Sequence, residues 1–151
     1  MKAELDLSSV EVEAILRTAE LHSERDYLYL ELIGRIRGLR TGEVVGVDKV
    51  TSYWAWKDPT EHSKGREQRT STTHLPGITA EDVKEGQVWI HRKGGAIRKI
   101  QLTSEFYDRL WAFARERPGQ KLFDFRERRG YDIVQNYARE AGLADWKKVH
   151  P

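Results

Sequence analysis

The sequence predicts an α+β fold, mainly helical, and three observations carry that prediction. Apolar residues recur at helical spacing over residues 9–36, a stretch after residue 86 alternates apolar and polar around a glycine turn, and helical spacing resumes after residue 103. The 151 residues suffice for one domain with a hydrophobic core and are too few for two comfortable ones.

The first helix is announced by Ser8-x-x-Glu11, the spacing of a capping box, followed by Val12, Ile15, Leu16 and Ala19 on one face. Ser23-x-x-Asp26 starts a second helix whose Tyr27, Leu28, Leu30, Leu32, Ile33 and Ile36 leave almost no polar face, so it is expected at the centre of the core. Gly38 breaks it, and residues 41–47 predict a short third helix carrying Val44, Val45 and Val47 inward. Residues 58–74 are polar, repeat Ser, Thr and charge, and follow neither period, which predicts a long mobile loop. The YWAW just before it carries too many aromatics for a free linker and should pack against the body or a partner. QVWIHR, KGGA and IRKIQL then form a hairpin over residues 87–102. Thr103 caps a helix with Phe106, Leu110 and Phe113 on one face, ended by Pro118-Gly119. A last helix over residues 126–141 buries Val134, Tyr137, Ala138 and Ala141 and stops at Gly142.

Composition excludes several function classes. With no cysteine and no apolar leader in MKAELDL, neither a disulfide framework nor secretion is supported, and a cytoplasmic protein is expected. The longest apolar stretch, residues 27–36, is interrupted by Glu31 and Arg35 and is too short to cross a bilayer. A net charge of +2 does not announce a nucleic-acid binder, so any basic footprint must be local. The five histidines show no metal-ligand spacing, and neither a metal site nor another cofactor is expected.

Two segments could carry chemistry. In RGLRTGE, Arg40 follows the glycine break at the start of a short helix, where a guanidinium suits a phosphate because it stays charged and can hold two oxygens at once. Glu43, one turn on, could brace it, although an arginine beside a glutamate is most often a structural ion pair. In HRKGGAIRK, Lys93 sits at the hairpin turn with Arg92, Arg98 and Lys99 close by, a cluster able to enter a nucleic-acid groove. A lysine there could also protonate a leaving oxygen if its surroundings lower its pKa; a solvated turn is the plainer alternative.

Taken together with their flanks, GLRTGEVVGV, EDVKEGQVWIHRKGGAIRKIQL, KLFDF and YDIVQNYAREAGLADWKKVHP resemble, in order and spacing, the catalytic domain of the tyrosine recombinases, the phage-integrase family. That pattern runs G-L-R-x-x-E, a K-G-G hairpin ending V-P-L, L-F, a helix ending A-G, and then P-H-x-L-R-H. The resemblance implies site-specific DNA recombination or integration, with a tyrosine attacking a phosphodiester to leave a 3′-phosphotyrosine and a free 5′-hydroxyl, without metal. It implies that Arg40 is the first catalytic arginine, Lys93 the hairpin lysine that protonates the departing 5′-oxygen, and Glu43 a supporting acid, with Arg92, Arg98 and Lys99 on DNA.

The chain departs from the pattern at several points. Arg37 stands at a usually small position, Ala96 replaces a common lysine, Gln101 replaces the proline of V-P-L, and residues 48–78 are an insertion where a short connection is usual. The residues that follow P in P-H-x-L-R-H, and the later tyrosine, are not among the 151. The expectation is therefore an incomplete catalytic domain over residues 1–151, cut just before that motif. Such a chain would bind double-stranded DNA without cutting it alone, self-associating or joining an intact recombinase there. None of the six tyrosines present, aromatics that read as core, is a substitute nucleophile. A non-enzymatic DNA-binding regulator or recombination accessory protein is the alternative, because TGEVVGVDKVTSYWAW superficially resembles a helix-turn-helix. The spacing argues against it, being about three residues too short before the turn glycine.

Overall fold

A computed structural model describes residues 7–151, and the architecture is α+β. The helices are α1 (Ser9–His22), α2 (Glu24–Arg35), α3 (Thr41–Val45), α4 (Ser104–Ala114) and α5 (Glu127–Glu140). The strands are β1 (Val47–Trp56), β2 (Arg66–Leu75), β3 (Val83–Lys84), β4 (Gln87–His91) and β5 (Ile97–Gln101). They form two antiparallel sheets, β1-β2 and β3-β4-β5.

The helical half follows the sequence pattern closely. Ser8 and Glu11 form the reciprocal capping box at α1, which buries Ile15, Leu16 and Ala19. The Ser23 hydroxyl caps α2, whose Leu28, Tyr29, Leu30, Leu32 and Ile33 are all buried, so this helix is the centre of the core. α5 packs on α1 and α3, and Gly130 lets it come close to the Tyr29 side chain of α2: a Cβ there would run into the Tyr29 hydroxyl and lie 2.8 Å from Thr41 Cγ2. Buried Asp26 is satisfied by Arg25 at 3.0 Å and by the Tyr137 hydroxyl of α5 at 2.7 Å.

The small sheet packs its inner face on the helices. Val88 and Ile90 of β4 are fully buried, as the alternation of QVWIHR requires, and Ile100 of β5 backs them. A two-residue Glu85-Gly86 turn, both residues at positive φ, adds the short strand β3, which the sequence did not announce.

Two expectations are corrected, and a third, for YWAW, is narrowed to a partner. α3 ends at Val45, because Gly46 takes a φ of 91° and turns the chain into β1; Val47 is half-buried at the start of that strand rather than on the helix. In place of an irregular loop, residues 47–75 form a ten-pair antiparallel ribbon from Val47↔Leu75 to Trp56↔Arg66. No residue of either strand is buried, so no apolar alternation was there to reveal it; backbone ladder bonds and the β-preference of Thr, Val and aromatics define it. The YWAW segment does not pack on the body: Trp54 is 66% exposed, and Trp56 stacks only on His62 at 4.1 Å and under Arg66 at 4.6 Å.

The ribbon is anchored at a narrow neck. Gly77 has a φ of 75°, and a Cβ on it would lie 2.8 Å from both the Gly46 nitrogen and the Val45 carbonyl carbon. Beyond the neck, Ile78 donates to the Val44 carbonyl and accepts from the Leu122 amide, tying the ribbon's exit into the core.

Candidate functional site

The Ile36–Leu39 turn and α3 place Arg40 at the rim of a cleft of about 570 Å³, lined by Arg40, Thr41, Arg92, Glu127, Tyr131 and Pro151 among others. Arg40 is the residue before the helix, extended in backbone and exposed in side chain, while Leu39 just before it is buried and fixes the turn. The arginine is thus a surface group on a rigid base. Its guanidinium has no ion-pair partner among the described residues; its backbone is engaged, the N–H donating to Glu43 Oε1 at 3.0 Å and the carbonyl accepting from the Glu43 and Val44 amides.

Glu43 holds Arg40 through the Arg40 backbone alone and makes its side-chain ion pair with a different arginine. Its other oxygen accepts from Arg92 Nε at 2.9 Å, and its side chain is only 7% exposed. One buried carboxylate therefore ties α3 to the β4–β5 turn and brings Arg92 to the edge of the Arg40 cleft. The pairing leaves the Arg40 guanidinium available to another anion.

The remaining candidates divide by the pleat of β5. Arg98 pairs opposite buried Ile90, on the face turned to the body, and its guanidinium donates to the Arg37 carbonyl at 3.0 Å. It staples the hairpin to the loop carrying Arg40. Lys99 pairs opposite Trp89 on the outer face, with its ammonium 4.1 Å from that ring; Lys84 covers the ring at 4.0 Å. Arg98 and Lys99 therefore do not share a surface. Lys93 is exposed in the turn closed by Arg92 N–H to the Ala96 carbonyl at 2.8 Å, with Gly94 and Gly95 at positive φ; it does not line the cleft.

Sequence reasoning missed two groups around the cleft. Tyr131, 40% exposed on α5, lines it, as does the carboxylate-bearing Glu127 one turn earlier. Glu127 also borders a neighbouring depression of about 390 Å³ that includes Lys49, Lys121, Arg126 and Arg128. The helical period of α5 places Glu127 and Tyr131 four apart on one face, but only the tertiary packing of α5 on α3 identifies which face meets Arg40. The arrangement can hold an anion between fixed cations, with Glu127 disfavouring it at the far wall. No group of three or more His, Cys, Asp or Glu able to hold a metal ion occurs among the described residues, and no helix there is long and apolar enough to cross a membrane. The strand β1 occupies the place a recognition helix would need, which removes the helix-turn-helix reading.

No protein-family model matches the sequence, and no curated protein matches it. In structure the chain is similar to the crystal structure of XerA recombinase, with a TM-score of 0.65 at 14% identity. The likeness covers 100% of this chain and 47% of that one, so the chain spans about half its length. At that identity the likeness concerns the fold, and the fold is recombinase-like.

Proposed function

We propose that the chain binds duplex DNA with Arg40 on a backbone phosphate and serves site-specific recombination, as an incomplete catalytic domain of the tyrosine-recombinase kind. The observation that carries this reading is the division of labour between two arginines. Glu43 is occupied by Arg92, so the Arg40 guanidinium stands in the cleft with no ion pair among the described residues, Glu127 being the one side-chain carboxylate that shares the lining. The recombinase-like fold adds to it, as do the four sequence blocks in their order.

In this reading Arg40 donates two N–H groups to the non-bridging oxygens of one phosphate. It is pre-positioned by buried Leu39, and Arg92 adds a second positive charge at the rim. Attack by a tyrosine hydroxyl on phosphorus forms the P–Oη bond and breaks the P–O5′ bond; the phenolic proton passes to water, and the departing oxygen takes a proton from the Lys93 ammonium. The second arginine, the motif histidine and that tyrosine would come from residues other than these 151. Glu43 acts as a positioning residue through Arg92 and α3, and Arg98 through the Arg37 carbonyl.

Binding to a fluorescent duplex of about 30 base pairs, measured across salt concentrations, tests the reading. Arg40→Ala should weaken binding about tenfold and lower the salt slope by about one. Supplying a segment with the missing motif should give a covalent adduct on nicked DNA, absent with Arg40→Ala. Lys93→Ala should lose adduct on normal DNA and regain it where sulfur replaces the 5′-oxygen, since a thiolate leaves without a proton. Affinity and adduct that survive Arg40→Ala would overturn the assignment. A non-enzymatic DNA-binding accessory, the second reading, would show the affinity without the adduct.

A further inference from the structure

We propose that the β1–β2 ribbon is a DNA-reading arm that lies in a groove of the duplex next to the Arg40 cleft; the inference rests on the DNA-binding reading above. The ribbon has ten pairs and no buried residue, and a two-stranded ribbon in water is marginal without a surface to lie on. At ~3.3 Å per residue it reaches roughly 33 Å, close to one turn of duplex, and a two-stranded ribbon fits the major groove, about 12 Å wide.

Its charges are sorted in a way that favours a polyanion. Asp58 and Glu61 are both held by Lys64, at 3.6 and 3.4 Å; Glu67 is held by Arg69 at 2.7 Å, and Asp48 lies 4.0 Å from His74. Lys49 at the base and Lys57 and Arg66 at the far end have no acidic partner among the described residues. Cations at both ends reach phosphates, and the stretch between them is uncharged at Thr51, Ser52, Thr70, Ser71 and Thr72, whose hydroxyls can donate to or accept from base edges.

Position supports the same occupant. The neck at Gly46 and Gly77 sets the ribbon directly after α3, β2 runs beside the Lys93–Gly95 turn, and Lys49 shares a depression with Lys121, Arg126 and Arg128, four cations against the carboxylates of Asp48 and Glu127. The ribbon therefore continues the cationic surface of the proposed phosphate site. Exposed Val50 and Trp54 occupy one face of it and offer apolar contact, as with a thymine methyl.

Anisotropy titrations of the full chain on the same duplex, between about 50 and 200 mM salt, test the arm. The triple change K49Q/K57Q/R66Q should lower the salt slope by about two to three. A second variant, with residues 50–72 replaced by Asn-Gly, removes Lys57 and Arg66 but keeps Lys49, and should lower it by about two while keeping the helical circular-dichroism signal. An unchanged slope in both would overturn the arm. So would a V50T/W54S chain that changes oligomeric state and leaves DNA affinity intact, which would assign the ribbon to a protein contact. Loss of slope with Arg40→Ala but not with the ribbon variants defeats this inference alone. Wild-type chain with no salt-dependent affinity defeats the DNA reading beneath it as well.

Discussion

The two hairpins of this chain share antiparallel pairing and differ in what holds them. In β4–β5, five pairs are enough because Val88 and Ile90 are fully buried against the helices and Arg98 staples the outer strand to the Arg37 carbonyl. In β1–β2, ten pairs lie without a buried residue, and the segment is secured at the Gly46–Gly77 neck and touched by the Lys93–Gly95 turn. Burial makes the first hairpin part of the fold and an instrument for placing Arg92 and Lys93. Exposure leaves the second free to serve a partner. Strand length is a poor guide to structural importance here; the area withdrawn from water is the better one.

The sharpest way to break the comparison is to cut one side chain from each hairpin. Ile90→Ala should lower unfolding free energy by about 2–5 kcal/mol in urea titrations, and Val50→Ala in the ribbon should change it by about 0.5 kcal/mol or less. Equal losses would mean the ribbon is packed after all. The neck should be next in sensitivity: Gly77→Ala introduces a Cβ at positive φ against backbone atoms that cannot swing away, and a cost of about 1–3 kcal/mol is expected in the same titration.

Arg92→Ala should cost about 1–2 kcal/mol, because Glu43 then keeps a nearly buried carboxylate oxygen without its partner; Arg92 is 41% exposed, which moderates the loss. Arg40→Ala, with no ion pair to lose, should leave stability within about 0.5 kcal/mol, so a large stability loss at Arg40 would revive the structural ion-pair reading.

The smallest effect concerns alkaline pH and the helical side. Burial, then the Glu31 carboxylate, pushes the Tyr27 phenol up to about 12; burial raises Tyr29 further, and burial with the Asp26 hydrogen bond does the same for Tyr137. A phenol harder to ionise in the folded state stabilises fully below the unfolded value of about 10 and loses that contribution as pH rises through the folded value. The urea midpoint should hold to about pH 10 and fall above it, with the 295 nm absorbance of these tyrosines rising later than that of a free phenol. Normal ionisation near 10 in the folded chain would contradict the packing of α2 and α5.

The legible parts of the fold share one property: they bury a periodic face. α1, α2, α4, α5 and β4 each put apolar residues inside at the period of their backbone, and caps such as Ser8, Ser23 and Thr103 mark their starts. The ribbon buries nothing, so its hydrogen-bonding pattern had no counterpart in side-chain periodicity. Arg40 and Lys93 were identifiable as candidates from their local segments. That Glu43 would choose Arg92 over Arg40, and that Tyr131 and Glu127 would join the cleft, depended on contacts between residues far apart along the chain.

By itself, the sequence determined the α+β class, the central helix α2, the small hairpin and the two basic segments, because helix and strand periods and capping are local properties of the chain. Only the tertiary structure decided which arginine is paired, which face of β5 turns to the body and what residues 47–75 become. Those outcomes rest on one carboxylate's reach between distant elements, on sheet registry, and on ladder bonds between strands that bury no residue.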